Sequence, residues 1–164
     1  MVTGGNMQQG LATHADGELI LKLYELRTEA VLRRARAWMT AEFWPATAAE
    51  FFAIQDDFGA EKNCWLRQVV TYWEMAASLV LHGALSADLF VDCNSEPFFI
   101  LAKLSPLLPE IHAKIPTYFS KMLQLIEISQ PAAARYEAAR KNAEVRRQAW
   151  SEAWLHRPKP GQAV

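Results

Sequence analysis

Apolar residues recur along this chain every three or four positions and almost never in alternation, the spacing of helix faces rather than of strands. Leu19, Leu23, Leu26 and Ala30 form one row, and Ile20, Tyr24, Val31 and Ala35 form a second beside it. Glu18 to Phe43 therefore reads as one long helix with Asp16 as its N-cap, and Pro45 ends it by pushing the preceding residue out of the α region. Thr47-Ala48-Ala49-Glu50 is a capping box that opens a short helix, which Gly59 stops. From about Glu61 to His82 the pattern is apolar around most of the helix circumference, with Gly83 as the stop, so this segment is expected at the centre of the fold. Ser86 caps a short helix through Phe90, and Glu96-Pro97 opens an apolar helix that Pro106 and Pro109 break or kink, with a shorter piece continuing to Lys114. Pro116 and Pro131 start two more, over Thr117 to Ile128 and from Ala132 to about Leu155. The fold class expected is all-α: a single-domain bundle of five to seven helices around the helix at about 61–82. Residues 1–15 are expected to form a mobile tail, 16–156 the helical domain and 157–164 a C-terminal tail.

Composition sharpens this picture mainly by exclusion. With 164 residues, 51% of them apolar, and a net charge of −1, the chain is too apolar for disorder and long enough for one cored domain. Two cysteines, Cys64 and Cys93, make no disulfide scaffold and are expected as reduced thiols in a cytoplasmic setting. The opening MVTGGNMQQGLATHADGE lacks the basic and apolar regions of a secretory signal. The most apolar window, Trp65 to Leu81, carries Arg67, Gln68 and Glu74, so no membrane span is expected. Charge is unevenly placed: residues 1–36 carry +1, 37–131 carry −6 and 132–164 carry +4.

Patterns for phosphate cradling, serine hydrolysis or a zinc protease are missing, so no catalytic residue, cofactor or metal is assigned. One polar row crosses the central helix: Arg67, Thr71, Glu74, Ser78 and His82. Its simplest reading is a solvent-facing strip; a buried packing network is the second. The third is a ligand site of Arg67, Glu74, Ser78 and His82, in which carboxylate and imidazole share a proton. The aromatic cluster of Trp38, Phe43, Trp44, Phe51, Phe52, Phe58, Trp65 and Trp73 reads first as core and second as an apolar pocket. In the last helix Tyr136, Ala139, Ala143, Trp150 and Trp154 form a thin apolar row interrupted by Arg147. Arg140, Arg147, Trp150 and Trp154 are the candidate partner surface. The basic clusters are Arg33, Arg34 and Arg36, and Arg135, Arg140, Lys141, Arg146 and Arg147; Arg135, Lys141 and Arg146 scatter around their helix and the sequence pI is about 6.4, which disfavours nucleic acid as the partner.

The run Trp65 to Phe90, WLRQVVTYWEMAASLVLHGALSADLF, joins an aromatic helix, a Gly stop, Ser-x-Asp and a Leu-Phe helix opening. With LYELRTEAVLRRARAWMTAEFWP before it and FFILAKLSPLLPEI after, it resembles a family of uncharacterised helical bacterial proteins, a domain of unknown function. The resemblance covers about two-thirds of the chain and rests on packing motifs. It implies the all-α fold and carries over no activity and no residue role. The function expected is non-enzymatic, through contacts with a protein partner or by homo-oligomerisation. The alternatives are a small-ligand or enzymatic bundle using the polar row, and a nucleic-acid-associated protein using the basic helices.

Overall fold

The computed structural model describes residues 11–155, with side chains through Glu152. In this span the chain forms nine α-helices and no strand: α1 (His14–Arg27), α2 (Ala30–Ala41), α3 (Ala48–Gln55), α4 (Glu61–Leu81), α5 (Ala87–Cys93), α6 (Glu96–Leu104), α7 (Leu108–Lys114), α8 (Ser120–Ile128) and α9 (Gln130–Leu155), with a 3₁₀ turn at Ser105–Leu107. Among the described residues no helix is long and apolar enough to cross a membrane. Cys64 and Cys93 are free thiols, and Cys93 is exposed. The first ten residues of the expected N-terminal tail, and the tail after Leu155, lie outside the described residues.

The helices outnumber the five to seven expected, in part because the long first helix is two. Thr28 turns its hydroxyl onto the Glu25 carbonyl, and the Glu29 carboxylate accepts the amides of Val31 and Leu32. These side-chain bonds replace the helical backbone bonds and start α2 afresh. The break lets Arg36 reach the Arg27 carbonyl at 3.1 Å. Helix α1 also starts earlier than expected: Thr13 is the cap, and Asp16 is the acidic member of its capping box. The other Asp16 oxygen accepts the Ser86 amide at 2.6 Å, tying α1 to the start of α5.

Helix α4 occupies the expected central position. Leu66, Val69, Val70, Tyr72, Trp73, Ala76, Ala77 and Val80 are buried against α2, α3, α5 and α8. Gly59 and Gly83, with φ of 95° and 72°, make the turns on either side, where a side chain would be strained. The shorter α6 is buried even more completely: of its nine residues only Glu96 and Phe99 keep partial exposure. It lies between α2 and α9. Most of the aromatic cluster is core, but Phe58 is exposed, because the α3–α4 turn carries it off the end of α3.

Helix α8 begins at Ser120 rather than Thr117. Phe119 holds a left-handed conformation with φ 55°, kept there by complete burial of its ring. Phe119 cannot cap a helix, and the cap comes instead from Glu74 on α4. The Glu74 carboxylate accepts the amides of Lys121 and Met122 at 3.0–3.1 Å. Glu74→Ala is expected to lower stability by about 1 kcal/mol, the usual worth of such a cap, and Glu74→Gln by less. Thermal unfolding of the three proteins checks this.

Candidate functional site

The α2–α3 corner is where distant parts of the chain meet. The Phe43 amide turns from Met39 to the Trp38 carbonyl, which also accepts the Glu42 amide, and Pro45 has no N–H to offer Ala41, so the carbonyls of Met39 and Ala41 have no helical partner; that of Pro45 lies past the helix end. Three side chains supply donors. The Trp44 indole N–H donates to Ala41 O at 3.2 Å, the Lys103 ammonium donates to Met39 O, and Arg147 Nη1 donates to Pro45 O at 3.3 Å. Arg147 Nη2 also donates to the Lys103 carbonyl at 2.6 Å, so one guanidinium joins the corner, α6 and α9. The last helix is thereby held at its C-terminal half by polar bonds. Its N-terminal half packs through Ala132, Tyr136, Ala139 and Ala143.

Between the corner and α9 lies an open cleft of about 720 Å³. Glu42, Phe43, Trp44, Pro45, Ala46 and Glu50 form one wall, and Arg147, Trp150 and Ser151 form the other. The rings of Trp44 and Trp150 stack across it at 6.4 Å and 25°. Its size is within the roughly 300–1,000 Å³ of small-molecule sites. A second groove of about 330 Å³ continues from Arg147 along α9, past Ser105, Arg140, Lys141 and Glu144.

Lys103 lies behind the cleft wall and is fully buried. Its Nζ is 5.0 Å from the Trp44 ring centroid and 5.9 Å from those of Phe43 and Phe99. Among the described residues no carboxylate comes within ion-pair distance of it. Burial pushes its pKa down to about 7, helped by the neighbouring Arg147 guanidinium and opposed by Glu96. Glu96 itself is committed to Arg36, in a bidentate pair at 2.5 and 2.8 Å, and it accepts the Trp73 indole N–H at 3.2 Å.

The polar row of α4 is not gathered into one site. Arg67 is exposed and donates to Asn63 Oδ1, Thr71 bonds back to the Arg67 carbonyl, and Glu74 caps α8. Ser78 is half-buried, and His82 is exposed at the helix end with Nδ1 against the Ser78 carbonyl. None of the row lines either groove described above. On α9 the structure brings Arg147 and Trp150 into the cleft and Arg140 into the neighbouring groove; the Trp154 side chain lies outside the described residues. Arg147 does not interrupt the packed stripe but is its polar anchor, because carbonyl oxygens face it. Trp44 and Phe43 belong to the aromatic cluster whose second reading is an apolar pocket, and both line the cleft; no role for Lys103 follows from the sequence reading. The available signal was a single lysine inside the apolar run Phe98 to Leu104. No cluster of three or more His, Cys, Asp or Glu able to hold a metal occurs among the described residues.

A family model described as a domain of unknown function (DUF4760) matches residues 12–129. The match ends one residue before α9, so it includes the corner and leaves the opposite wall of the cleft outside. No curated protein and no solved structure matches.

Proposed function

This chain belongs to the DUF4760 family, a kinship that assigns no chemistry, and we propose from its own surface that it is a non-enzymatic contact protein that self-associates through α9 and the α2–α3 corner. The observation that carries this reading is the half-exposed Trp150 stacked on Trp44 in an open cleft. Tryptophan and arginine are the residues that most often dominate protein–protein binding energy. Arg146 lies over Phe99, and Arg140 and Lys141 line the neighbouring groove, which adds positive charge along the same helix. The basic end of the chain complements its acidic middle, which supplies a surface on a second copy for α9 to meet. The free thiols suit a reducing, cytoplasmic setting.

Sedimentation at several protein concentrations tests the reading. The wild-type chain is expected to gain mass with concentration, and Trp150→Ala to raise the dissociation constant about tenfold or more, as loss of a central anchor does. A wild-type chain that stays monomeric throughout overturns it.

The cleft volume favours one second reading, binding of a small apolar or aromatic ligand. The nucleic-acid alternative loses support because several of its arginines serve the fold. Arg36 pairs with Glu96, Arg135 donates to Val91 O, and Arg147 holds the corner.

A further inference from the structure

We propose that Lys103 is a carbonyl-reactive amine, reached from the cleft when Trp44 turns aside, and that the compounds it captures are aldehydes or ketones carrying an aromatic ring and an anionic group. The inference goes beyond self-association and rests on the small-ligand reading of the cleft.

An amine that attacks a carbonyl must have its lone pair free and must be desolvated. Lys103 meets the second condition outright, being fully buried among Phe43, Trp44 and Phe99. The first follows from its surroundings: no paired carboxylate, a guanidinium on α9 nearby, and Glu96 already bound to Arg36. With a pKa near 7 about half of it is neutral at pH 7, against fewer than about one in a thousand for an ordinary lysine. The Met39 carbonyl that receives its N–H leaves the nitrogen lone pair unused.

Trp44 connects this amine to the cleft. Its ring lines the cleft, and Nζ lies 5.0 Å from its centroid. The indole makes one hydrogen bond, to Ala41 O, so turning it aside gives up that bond together with its stacking on Trp150, its edge contact with Phe99 and its cation–π contacts with Lys103 and Arg147. Trp150 on the far wall offers an aromatic face, and Arg147 offers positive charge whose two hydrogen bonds go to neutral carbonyls rather than to a carboxylate. In the reaction the Nζ lone pair forms a bond to the carbonyl carbon while the C=O π pair moves to oxygen, which takes up a proton. Nζ loses a proton to give the carbinolamine; the hydroxyl then takes up a proton and leaves as water with the C–O pair, while the Nζ lone pair closes the C=N bond and Nζ gives up its second proton. The product is a C=N bond, with no oxidant or reductant consumed.

4-Carboxybenzaldehyde tests the proposal on the full chain at pH 7, with cyanoborohydride present to reduce the imine to a stable amine for peptide mapping. The adduct is expected on Lys103 at least about tenfold faster than on exposed Lys22, Lys62, Lys114 and Lys141, given the difference in neutral fraction. Benzoate, which has the ring and the charge but no carbonyl, should slow it, and Trp44→Ala should speed it. Label spread over the exposed lysines with none on Lys103 in the wild-type chain overturns the proposal. Labelling that benzoate does not slow overturns it too, because it marks unfolding rather than the cleft. Quenching of tryptophan fluorescence by benzoate without any Lys103 adduct would leave the cleft as a ligand site and refute only the reactive amine.

Discussion

Glu96→Ala is expected to destabilise the fold by about 3 kcal/mol, toward the lower end of what breaking a buried ion pair costs. The Glu96 and Arg36 side chains keep only 16% and 19% exposure, so water replaces little of what the substitution removes. The carboxylate accepts two Arg36 N–H groups and the Trp73 indole N–H, and Trp73 is fully buried on α4. Its loss leaves a guanidinium without a counter-charge and an indole without an acceptor, at the junction of α2, α4 and α6. The midpoint of thermal unfolding should fall by about 6–12 °C for a domain of this size. Glu96→Gln keeps an acceptor and should cost less. Arg36→Met combined with Glu96→Leu should recover much of the loss, because the unpaired charge, not the missing bond, is the main penalty. Glu96→Ala within about 0.5 kcal/mol of the wild type, the size of an ordinary surface change, would refute this account.

The second large effect is a stability that rises with pH above neutrality. The Lys103 pKa is about 7 in the folded chain and has its ordinary value of 10.5 when the chain unfolds. Between those values the unfolded chain binds more protons, so raising the pH favours folding. Below about pH 7 both states carry the proton, and the cost of the buried charge is present in full. From pH 7 to pH 9 the gain should be about 2 kcal/mol, at about 1.4 kcal/mol per pH unit once the folded state is neutral. Arg147 on α9 strengthens the effect and Glu96 on α6 weakens it. Tyr72, pushed up to about 12 chiefly by burial, reverses the trend only above its unfolded value of 10.0. Urea unfolding of the wild type and Lys103→Met at pH 6, 7, 8 and 9 checks this. Lys103→Met should lose the added slope; equal slopes in the two proteins would sink the prediction.

The helix ends predicted from local chemistry stand in the structure where the chemistry is local. Thr47 and Ser86 cap α3 and α5, Gly59 and Gly83 take positive φ, and Pro97 sits in the first turn of α6. The departures occur where a side chain found a stronger partner elsewhere. Glu29 turned back to cap α2, splitting the expected long helix. Glu74, which the pattern of α4 alone leaves open to acid–base chemistry, is the cap of α8. Of the candidate partner surface, Arg147 and Trp150 meet in the cleft; in their opposite wall, Phe43 and Trp44 belong to the aromatic cluster that reads first as core and second as an apolar pocket, and Pro45 reads only as a helix stop.

The sequence by itself determined the all-helical class, the central place of α4 and most helix ends, because apolar periodicity, glycine and proline geometry, and caps act within a few residues. Only the tertiary structure decided what the buried and half-buried charges do. Lys103, Glu96 and Arg147 have carbonyls, indoles and guanidinium groups for neighbours, and those come from other helices. A long polar side chain takes its role from whatever atoms surround its tip, and the packing of helices brings those atoms there.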